Sequence, residues 1–261
     1  MRTRASFPTP STWPFSRWIC RSSNRIARMR APDGVLIRRS KRARHLSLRL
    51  DHAARCIRLT APTAARPAEI AAFLDHHRGW VAAQRAALPP AVRLLPGNLL
   101  PLRGRPHRIR HDARWSRQPQ AIDGEIRLGG PPERVAARLA RWLRDEARAD
   151  LAPVAAGFAE RLDVTFGRIS IRDGRSRWGS CSRRGTLSFS WRLVLAPPGV
   201  LRYVAAHEVV HLREMNHGPR FWALLDSLIG DSRAQRRWLR ENGAALFAIR
   251  LPPYEGGEES I

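Results

Sequence analysis

Ala206-His207-Glu208-Val209-Val210-His211-Leu212 is the stretch that decides the fold. It carries an H-E-x-x-H pattern inside an apolar run, residues 200–212, that lacks glycine and proline and therefore predicts a helix. Positions i and i+4 of a helix lie on the same face, so the two imidazoles point the same way. Both could then reach one zinc ion at the usual zinc–nitrogen distance of about 2.0–2.1 Å.

Glu208 stands next to the first histidine and would lie beside the coordination position that a catalytic zinc keeps open. Zinc lowers the pKa of water to about 7, and a neighbouring carboxylate can then take the proton. The pattern therefore favours a zinc-dependent peptidase with Glu208 as its base. H-E-x-x-H alone is short enough to occur by chance, so its surroundings decide how much weight it carries.

A third metal ligand is available at His217, ten residues after His207. In an unbroken helix these two residues would lie about 15 Å apart, so the helix must end and the chain must turn back. Asn216 and Gly218 accept left-handed backbone, and Pro219 cannot continue the old helix. Three acidic residues remain as alternative ligands: Glu214, Asp226 and Glu241.

The composition limits the class of protein. The 261 residues suffice for one large domain or two small ones, and 43% of them are hydrophobic. No apolar run reaches 18 residues, which excludes a membrane-spanning helix. The three cysteines, Cys20, Cys56 and Cys181, are widely spaced, so neither a disulfide framework nor a cysteine zinc cluster is expected. A reducing, cytoplasmic location fits this cysteine usage best.

The formal net charge is +25, because one lysine and 46 arginines (47 − 1) face 22 acidic residues. So strong a preference for arginine is more typical of codon bias than of selection for phosphate binding. A field of that sign nevertheless attracts polyanions, so a nucleic-acid partner through a basic surface is expected as an alternative. The densest basic run is either a solvated strand flank or a phosphate contact: Arg38, Arg39, Lys41, Arg42 and Arg44.

The alternation of helical and extended patterns predicts an α+β fold with four regions. We expect a disordered basic extension over residues 1–34 and a flexible tail over residues 251–261. Residues 35–130 form a β-rich N-terminal subdomain with one helix. Residues 131–250 hold the H-E-x-x-H helix and the other long helices, and are expected to form the catalytic region.

Several elements are predicted within these regions. Residues 35–61 read as a β-hairpin and residues 67–88 as a helix. Pro153 predicts a kink or a restart within a long helical stretch over residues 131–162. A second hairpin precedes the H-E-x-x-H helix, and a substrate peptide could add to its edge at residues 178–181 or 186–193.

Four segments carry a resemblance to a known family: Arg177-Trp178-Gly179-Ser180-Cys181-Ser182, Trp191-Arg192-Leu193, Tyr203-Val204-Ala205-Ala206-His207-Glu208-Val209-Val210-His211-Leu212 and Asn216-His217-Gly218-Pro219-Arg220-Phe221-Trp222. Together they resemble the YgjP-like metallopeptidases, bacterial relatives of the SprT-like zinc peptidases. The likeness extends more loosely over residues 35–250, and the combined series is far more specific than any one part.

The resemblance implies a zincin-like metallopeptidase core behind the N-terminal β-rich subdomain. It also implies a Zn²⁺ ion held by His207, His211 and His217, with Glu208 as the catalytic base and a peptide or protein as substrate. SprT-like relatives act on proteins attached to DNA, which would suit the basic charge of this chain, although fold-level analogy alone does not assign a substrate.

Two other functions remain open. The chain could be a basic nucleic-acid-associated module whose zinc is structural, since a structural site is closed by four protein ligands whereas a catalytic one keeps a position for water. It could also be a zinc hydrolase that acts on something other than peptides. The residue that stabilises the oxyanion is likewise open between Arg175, Arg177 and Tyr203.

Overall fold

The computed structural model describes residues 29–30, 34–51, 55–174 and 177–252. Most of the predicted extension over residues 1–34 and of the predicted tail over residues 251–261 lies outside the described residues. The same holds for Arg175. The described chain divides into two compact units, one that ends at Ala87 and one that begins at Leu88.

The first unit is a four-stranded sheet with two helices. Its strands are β1 (Met29–Arg30), β2 (Leu36–Ser40), β3 (Ser47–Asp51) and β4 (Cys56–Pro62), in the order β1-β2-β4-β3. β3 and β4 are antiparallel, which agrees with the hairpin predicted within residues 35–61, while β2 runs parallel to β4. Apolar residues alternate with polar ones along β4, so one face of the sheet is buried.

The helix predicted over residues 67–88 is divided into α1 (Pro67–His76) and α2 (Arg78–Ala86). The break falls at His77, whose φ of −99° and ψ of 12° are not helical. The Nδ1 atom of His77 lies 2.8 Å from the carbonyl oxygen of Phe73. A side chain thus competes for a carbonyl at the end of α1, and the chain changes direction there.

The second unit begins with a sheet of four strands that has its own short turns. β5 (Val92–Arg93) precedes it, and its strands are β6 (Leu99–Leu102), β7 (Arg105–His111), β8 (Gln120–Ile122) and β9 (Glu125–Leu128), in the order β6-β7-β9-β8. The turn between β6 and β7 has positive φ at Arg103 (51°) and Gly104 (78°). The guanidinium of Arg103 pairs with two carboxylates of the following helix, Glu146 at 2.6 Å and Asp150 at 2.8 Å.

α3 (Val135–Arg161) follows, and it continues through Pro153 without the predicted restart. A proline inside a helix costs about 3 kcal/mol or more. Apolar residues on both sides of it, including Leu143, Leu151, Ala155 and Phe158, are buried in one core, and this packing holds the helix together across Pro153.

The elements that carry the site come last. A three-stranded sheet contains β10 (Arg168–Arg172), β11 (Gly179–Cys181) and β12 (Thr186–Ser190), in the order β10-β12-β11. Three helices follow, α4 (Pro198–Val210), α5 (Pro219–Ile229) and α6 (Arg233–Ala248), and β13 (Ile249–Arg250) then pairs with β5. The H-E-x-x-H segment is therefore helical, as predicted, although the second histidine caps the helix instead of lying inside it.

The sheet of β6–β9 shares its hydrophobic core with the helices that follow it. Leu100, Ile109 and Ile126, from the sheet of β6–β9, share one hydrophobic core with Leu139 of α3 and Val209 of α4. Because these side chains bury one another, the sheet belongs to the unit that contains the H-E-x-x-H helix. The division between the two units lies between Ala87 and Leu88.

Helices and strands both contribute to the structure, in agreement with the predicted α+β class. Within the described ranges, every helix is too short or too polar to cross a membrane.

Candidate metal centre

The chain reverses between the second and third histidines, as the spacing predicts. α4 ends at Val210, and the carbonyl of Val210 accepts hydrogen bonds from the amides of Arg213 (3.0 Å) and Glu214 (2.9 Å). Gly218 then caps α5 in an extended conformation, with Pro219 in its first turn. This tight return carries the third histidine back beside the first.

The three histidines form one cluster. The Nε2 atoms of His207 and His217 are 3.0 Å apart, although ten residues separate them in the chain. The ring centroids lie 4.9 Å apart for His207 and His211, 4.9 Å for His207 and His217, and 4.7 Å for His211 and His217. The potential ligand atoms of the three side chains all lie within 4.8 Å of one another. Two nitrogens on a tetrahedral zinc ion are about 3.3 Å apart, so the cluster has the right size.

Phe221 forms the floor of this cluster. Its ring is fully buried and its centroid lies 4.8 Å from that of His207, 4.7 Å from that of His211 and 4.6 Å from that of His217. The next residue, Trp222, donates from Nε1 to the carbonyl of His217 at 3.2 Å. α5 therefore supplies both an apolar wall and a hydrogen bond that restrain the third histidine.

The protonation of the cluster suits cation binding. The pKa of His207 is lowered from 6.5 to about 4, mainly by burial and to a smaller extent by the neighbouring His211 and His217. Burial also lowers the pKa of His211. The Nδ1 atom of His211 lies 3.0 Å from the carbonyl oxygen of Glu214, so Nδ1–H is the donor and Nε2 keeps a free lone pair. The Nδ1 atom of His207 is buried and has no hydrogen-bond partner among the described residues.

The alternative ligands lie outside the cluster. Glu214 contributes its backbone carbonyl to His211, while its carboxylate accepts a hydrogen bond from the amide of Asn216 at 3.2 Å. Neither Asp226 nor Glu241 belongs to the group of side chains that converge here. Over the described part of the chain, the cluster thus has three candidate ligands, which leaves room for a fourth that is not protein.

Glu208 is buried beside the cluster, with only 5% of its surface exposed. Burial raises the pKa of this carboxyl from 4.5 to about 7, while the positive charge of Arg177 acts in the opposite direction. The carboxylate lies against Gly179 of β11, where a Cβ atom would approach Oε1 and Cγ of Glu208 to 2.6 Å. Only a residue without a side chain leaves this space for the carboxylate.

The contact between Gly179 and Glu208 was not predicted from the sequence. A glycine inside a strand signals that another group approaches closely, so a signal was present in the sequence. What the sequence does not show is that the approaching group belongs to Glu208, 29 positions later (208 − 179).

β11, the strand that contains Gly179, lies at an edge of its sheet. β12 lies between β10 and β11, so of the two predicted edge segments only residues 178–181 stand at an edge of the described sheet. The carbonyl of Trp178 and the amide of Ser182 both make backbone hydrogen bonds with β12, at 2.8 and 3.0 Å. Because bonding direction alternates along an antiparallel strand, the N–H and C=O groups of Gly179 and Cys181 point away from β12.

Two of the three residues named as oxyanion candidates lie near Glu208. The positive charge of Arg177 acts on its carboxylate. Tyr203 is one helical turn before His207, with 5.9 Å between ring centroids. Burial raises the pKa of its phenol; the charge of Arg236 opposes this rise, and the charge of Glu208 adds to it. The third candidate, Arg175, lies outside the described residues.

The chain is similar to a known protein family and to two solved structures. The family described as "YgjP-like, metallopeptidase domain" matches residues 44–242. The metallopeptidase zymogen abylysin of Pyrococcus abyssi is 18% identical over 36% of this chain and 92% of its own, with a TM-score of 0.32. The metallopeptidase zymogen jannalysin of Methanocaldococcus jannaschii is 20% identical over 36% of this chain and 88% of its own, with a TM-score of 0.31.

No curated protein matches the chain. The family match, however, covers well over half of the 261 residues and includes the three histidines, Glu208 and Gly179. On that extent of agreement, the chain belongs to the YgjP-like metallopeptidase family.

Proposed function

We propose that this protein is a zinc-dependent peptidase in which His207, His211 and His217 hold the metal and Glu208 is the general base. The observation that carries the proposal is the convergence of three imidazoles beside one buried carboxylate. Among the described residues three side chains, and not four, converge as ligands, which supports a catalytic metal because a structural site is closed by four protein groups. We also propose that this region has a zincin-like core.

The donor set fits zinc. Neutral imidazoles are favoured zinc ligands, and the lowered pKa of His207 and of His211 keeps both neutral at pH 7. The hydrogen bond from His211 to the carbonyl of Glu214 is the kind of outer contact that orients a metal-binding imidazole. A bound zinc ion would polarise the scissile carbonyl and acidify water at the site.

Glu208 performs the proton transfers in this scheme. As a carboxylate it accepts a proton from the attacking water while the water oxygen bonds to the carbonyl carbon of the substrate. It then donates that proton to the amide nitrogen as the carbon–nitrogen bond breaks, so the products are a carboxylate and an amine. Burial favours this exchange, because a carboxyl with a raised pKa both accepts and releases a proton near neutral pH.

β11 supplies the substrate-binding edge. The outward N–H and C=O groups of Gly179 and Cys181 can pair with an extended peptide, as in other complexes where a strand adds to a sheet. Gly179 also touches Glu208, so a peptide on this edge would lie next to the base. Main-chain pairing makes few demands on side chains, which supports unfolded or extended polypeptide as the substrate class.

The ligand assignment is tested by zinc analysis of the purified protein. We expect one zinc per chain in the wild type and substoichiometric zinc in His207→Ala, His211→Ala and His217→Ala. His45→Ala is the control, because His45 is exposed and lies on the first unit. Full zinc retention by His207→Ala would exclude the proposed ligands, and a fourth protein ligand would favour a structural zinc instead.

A further inference from the structure

The sheet of the first unit has one face that its helices do not cover. Ile57, Leu59 and Ala61 of β4 point to the buried side, where α1 and α2 contribute Ile70, Leu74 and Val81 to the same core. Their neighbours in β4, Arg58 and Thr60, therefore point to the opposite side. Neither of the two helices described for this unit contributes to the second face.

The register shows which side chains share that face. Arg58 is aligned with Leu36 of β2 and with Arg49 of β3, and Thr60 is aligned with Arg38 of β2 and with Ser47 of β3. Aligned residues of neighbouring strands point to the same side of a sheet. The basic sheet face is defined here by the polar residues on this side and in the turn that follows β2: Arg38, Lys41, Arg42, Ser47, Arg49, Arg58 and Thr60. Leu36 and Asp51 lie on the same side.

The basic run in the sequence is thus split by the strand. Arg38 is exposed on the basic sheet face, whereas Arg39 points to the other side. The guanidinium of Arg39 donates to the carbonyls of Pro62 (3.3 Å), Thr63 (2.8 Å) and Ala65 (2.7 Å). Arg39 therefore stabilises the fold of the first unit, and the guanidinium of Arg38 is the one that a binding partner can reach.

One basic residue of this face, Arg58, is paired with a described carboxylate of the unit, and the other four are not. Its described carboxylates are Asp51, Glu69 and Asp75, and they pair with Arg58, Arg66 and Arg78 respectively. Among the residues that the structure describes, no carboxylate pairs with Arg38, Lys41, Arg42 or Arg49. All four of these side chains are exposed. This surface offers guanidinium, ammonium and hydroxyl donors, and its one described carboxylate, Asp51, is already paired with Arg58. Such a surface is complementary to an anion with many acceptors.

We propose that the basic sheet face binds the phosphate backbone of double-stranded nucleic acid without reading its sequence. Arg38 and Arg49 lie two strand spacings and two residues apart, about 12 Å between Cα atoms, so they reach separate phosphates. Outward residues of one strand repeat every ~7 Å, a distance comparable to two rises of about 3.4 Å along the axis of a duplex. The aromatic side chains in the described part of this unit, Phe73 and Trp80, lie on the helices, so the face lacks the stacking platform of single-strand binders.

The residues of this proposal belong to the first unit, whereas the three histidines belong to the second, so nucleic-acid binding is tested independently of peptidase activity. The probe is a fluorescently labelled 30-base-pair DNA duplex, titrated with the full-length protein at several salt concentrations. The test variant is R38Q/R49Q, and R237Q/R240Q is the matched control, because it removes the same charge from exposed positions of α6. Circular dichroism and melting temperature establish that both variants fold.

We expect R38Q/R49Q to bind the duplex at least about tenfold more weakly than the wild type, and its log K against log[salt] slope to be smaller by about 2. R237Q/R240Q should keep the wild-type slope. Equal losses in both variants, or no loss in either, would overturn the proposal, because the charge would then act only as a diffuse field. Loss of binding to phosphatidylserine-containing vesicles with unchanged duplex binding would overturn it as well, in favour of a membrane surface.

Discussion

The Cα atom of Gly179 lies against the carboxylate of Glu208, so closely that a Cβ atom there would come within 2.6 Å of Oε1. One residue belongs to an edge strand and the other to the helix that carries two of the histidines. This contact limits where the carboxylate can be, and it links the proposed peptide-binding edge to the proposed base.

Gly179→Ala should therefore displace Glu208 without removing the histidines. A misplacement of about 1 Å at a reacting group costs roughly 100-fold in rate, so we expect a fall in kcat of about that size with zinc content unchanged. Gly157→Ala is the control, because a Cβ atom there meets no neighbour and alanine favours the helix. Wild-type turnover by Gly179→Ala would mean that the contact does not position the base.

Trp222→Phe should weaken metal binding. The change removes the hydrogen bond from Nε1 to the carbonyl of His217 while it keeps an aromatic ring beside Phe221. The loss of one such bond is worth about 1 kcal/mol, or roughly fivefold in zinc affinity, measured by competition with a chelator. Trp80→Phe, on an exposed residue of the first unit, should leave the affinity unchanged, and an equal effect of both variants would contradict this role.

Arg192→Met should destabilise the protein without touching the site. Arg192 is 2% exposed, pairs with Asp173, and donates to the carbonyls of Leu246 and Ile249, both at 3.1 Å. Methionine leaves those buried carbonyls without a donor, which should lower the free energy of unfolding by about 3 kcal/mol in urea denaturation. Arg240→Met, at an exposed position, should change it by less than about 0.5 kcal/mol, and similar values for both would be inconsistent with a buried network.

The stability of the metal-free protein should depend on Glu208 and pH. The pKa of Glu208 is about 7 in the folded chain and 4.5 ordinarily, so between these values the folded state retains a proton that the unfolded state has lost. The free energy of unfolding contributed by this group therefore falls as pH rises from 4.5 to 7, by up to about 1.4 kcal/mol per pH unit. The free energy of unfolding is measured by chemical denaturation of wild type and Glu208→Gln, both freed of metal with a chelator. It should fall more steeply between pH 4.5 and 7 in the wild type, and parallel pH profiles of the two proteins would argue against a buried carboxyl.

Local patterns in the sequence account for most of the histidine cluster. The i, i+4 spacing of His207 and His211, and the Asn216 to Pro219 segment that must turn the chain, predict a meeting of the three imidazoles, and the structure brings them together. The spacing depends on helix geometry, which neighbouring residues determine. The turn itself does not use the left-handed backbone that Asn216 and Gly218 accept, because Gly218 has a φ of −82° and φ at Asn216 is not positive.

Tertiary packing decides the features that sequence patterns did not predict. The order β10-β12-β11 places the last of the three strands in the centre, and alternation within a strand carries no information about its neighbours. α3 continues through Pro153 because a shared core holds it. Gly179 meets Glu208, and Phe221 supports all three histidines, only because separate elements pack together.

The central claim is that Glu208 performs the proton transfers beside a zinc ion held by the three histidines. The most direct measurement is the rate at which wild type and Glu208→Gln, each analysed for zinc, cleave an unfolded protein. We predict one zinc per chain in both proteins, with cleavage by Glu208→Gln at least about 100-fold slower. Cleavage by zinc-loaded Glu208→Gln at the wild-type rate would contradict the account.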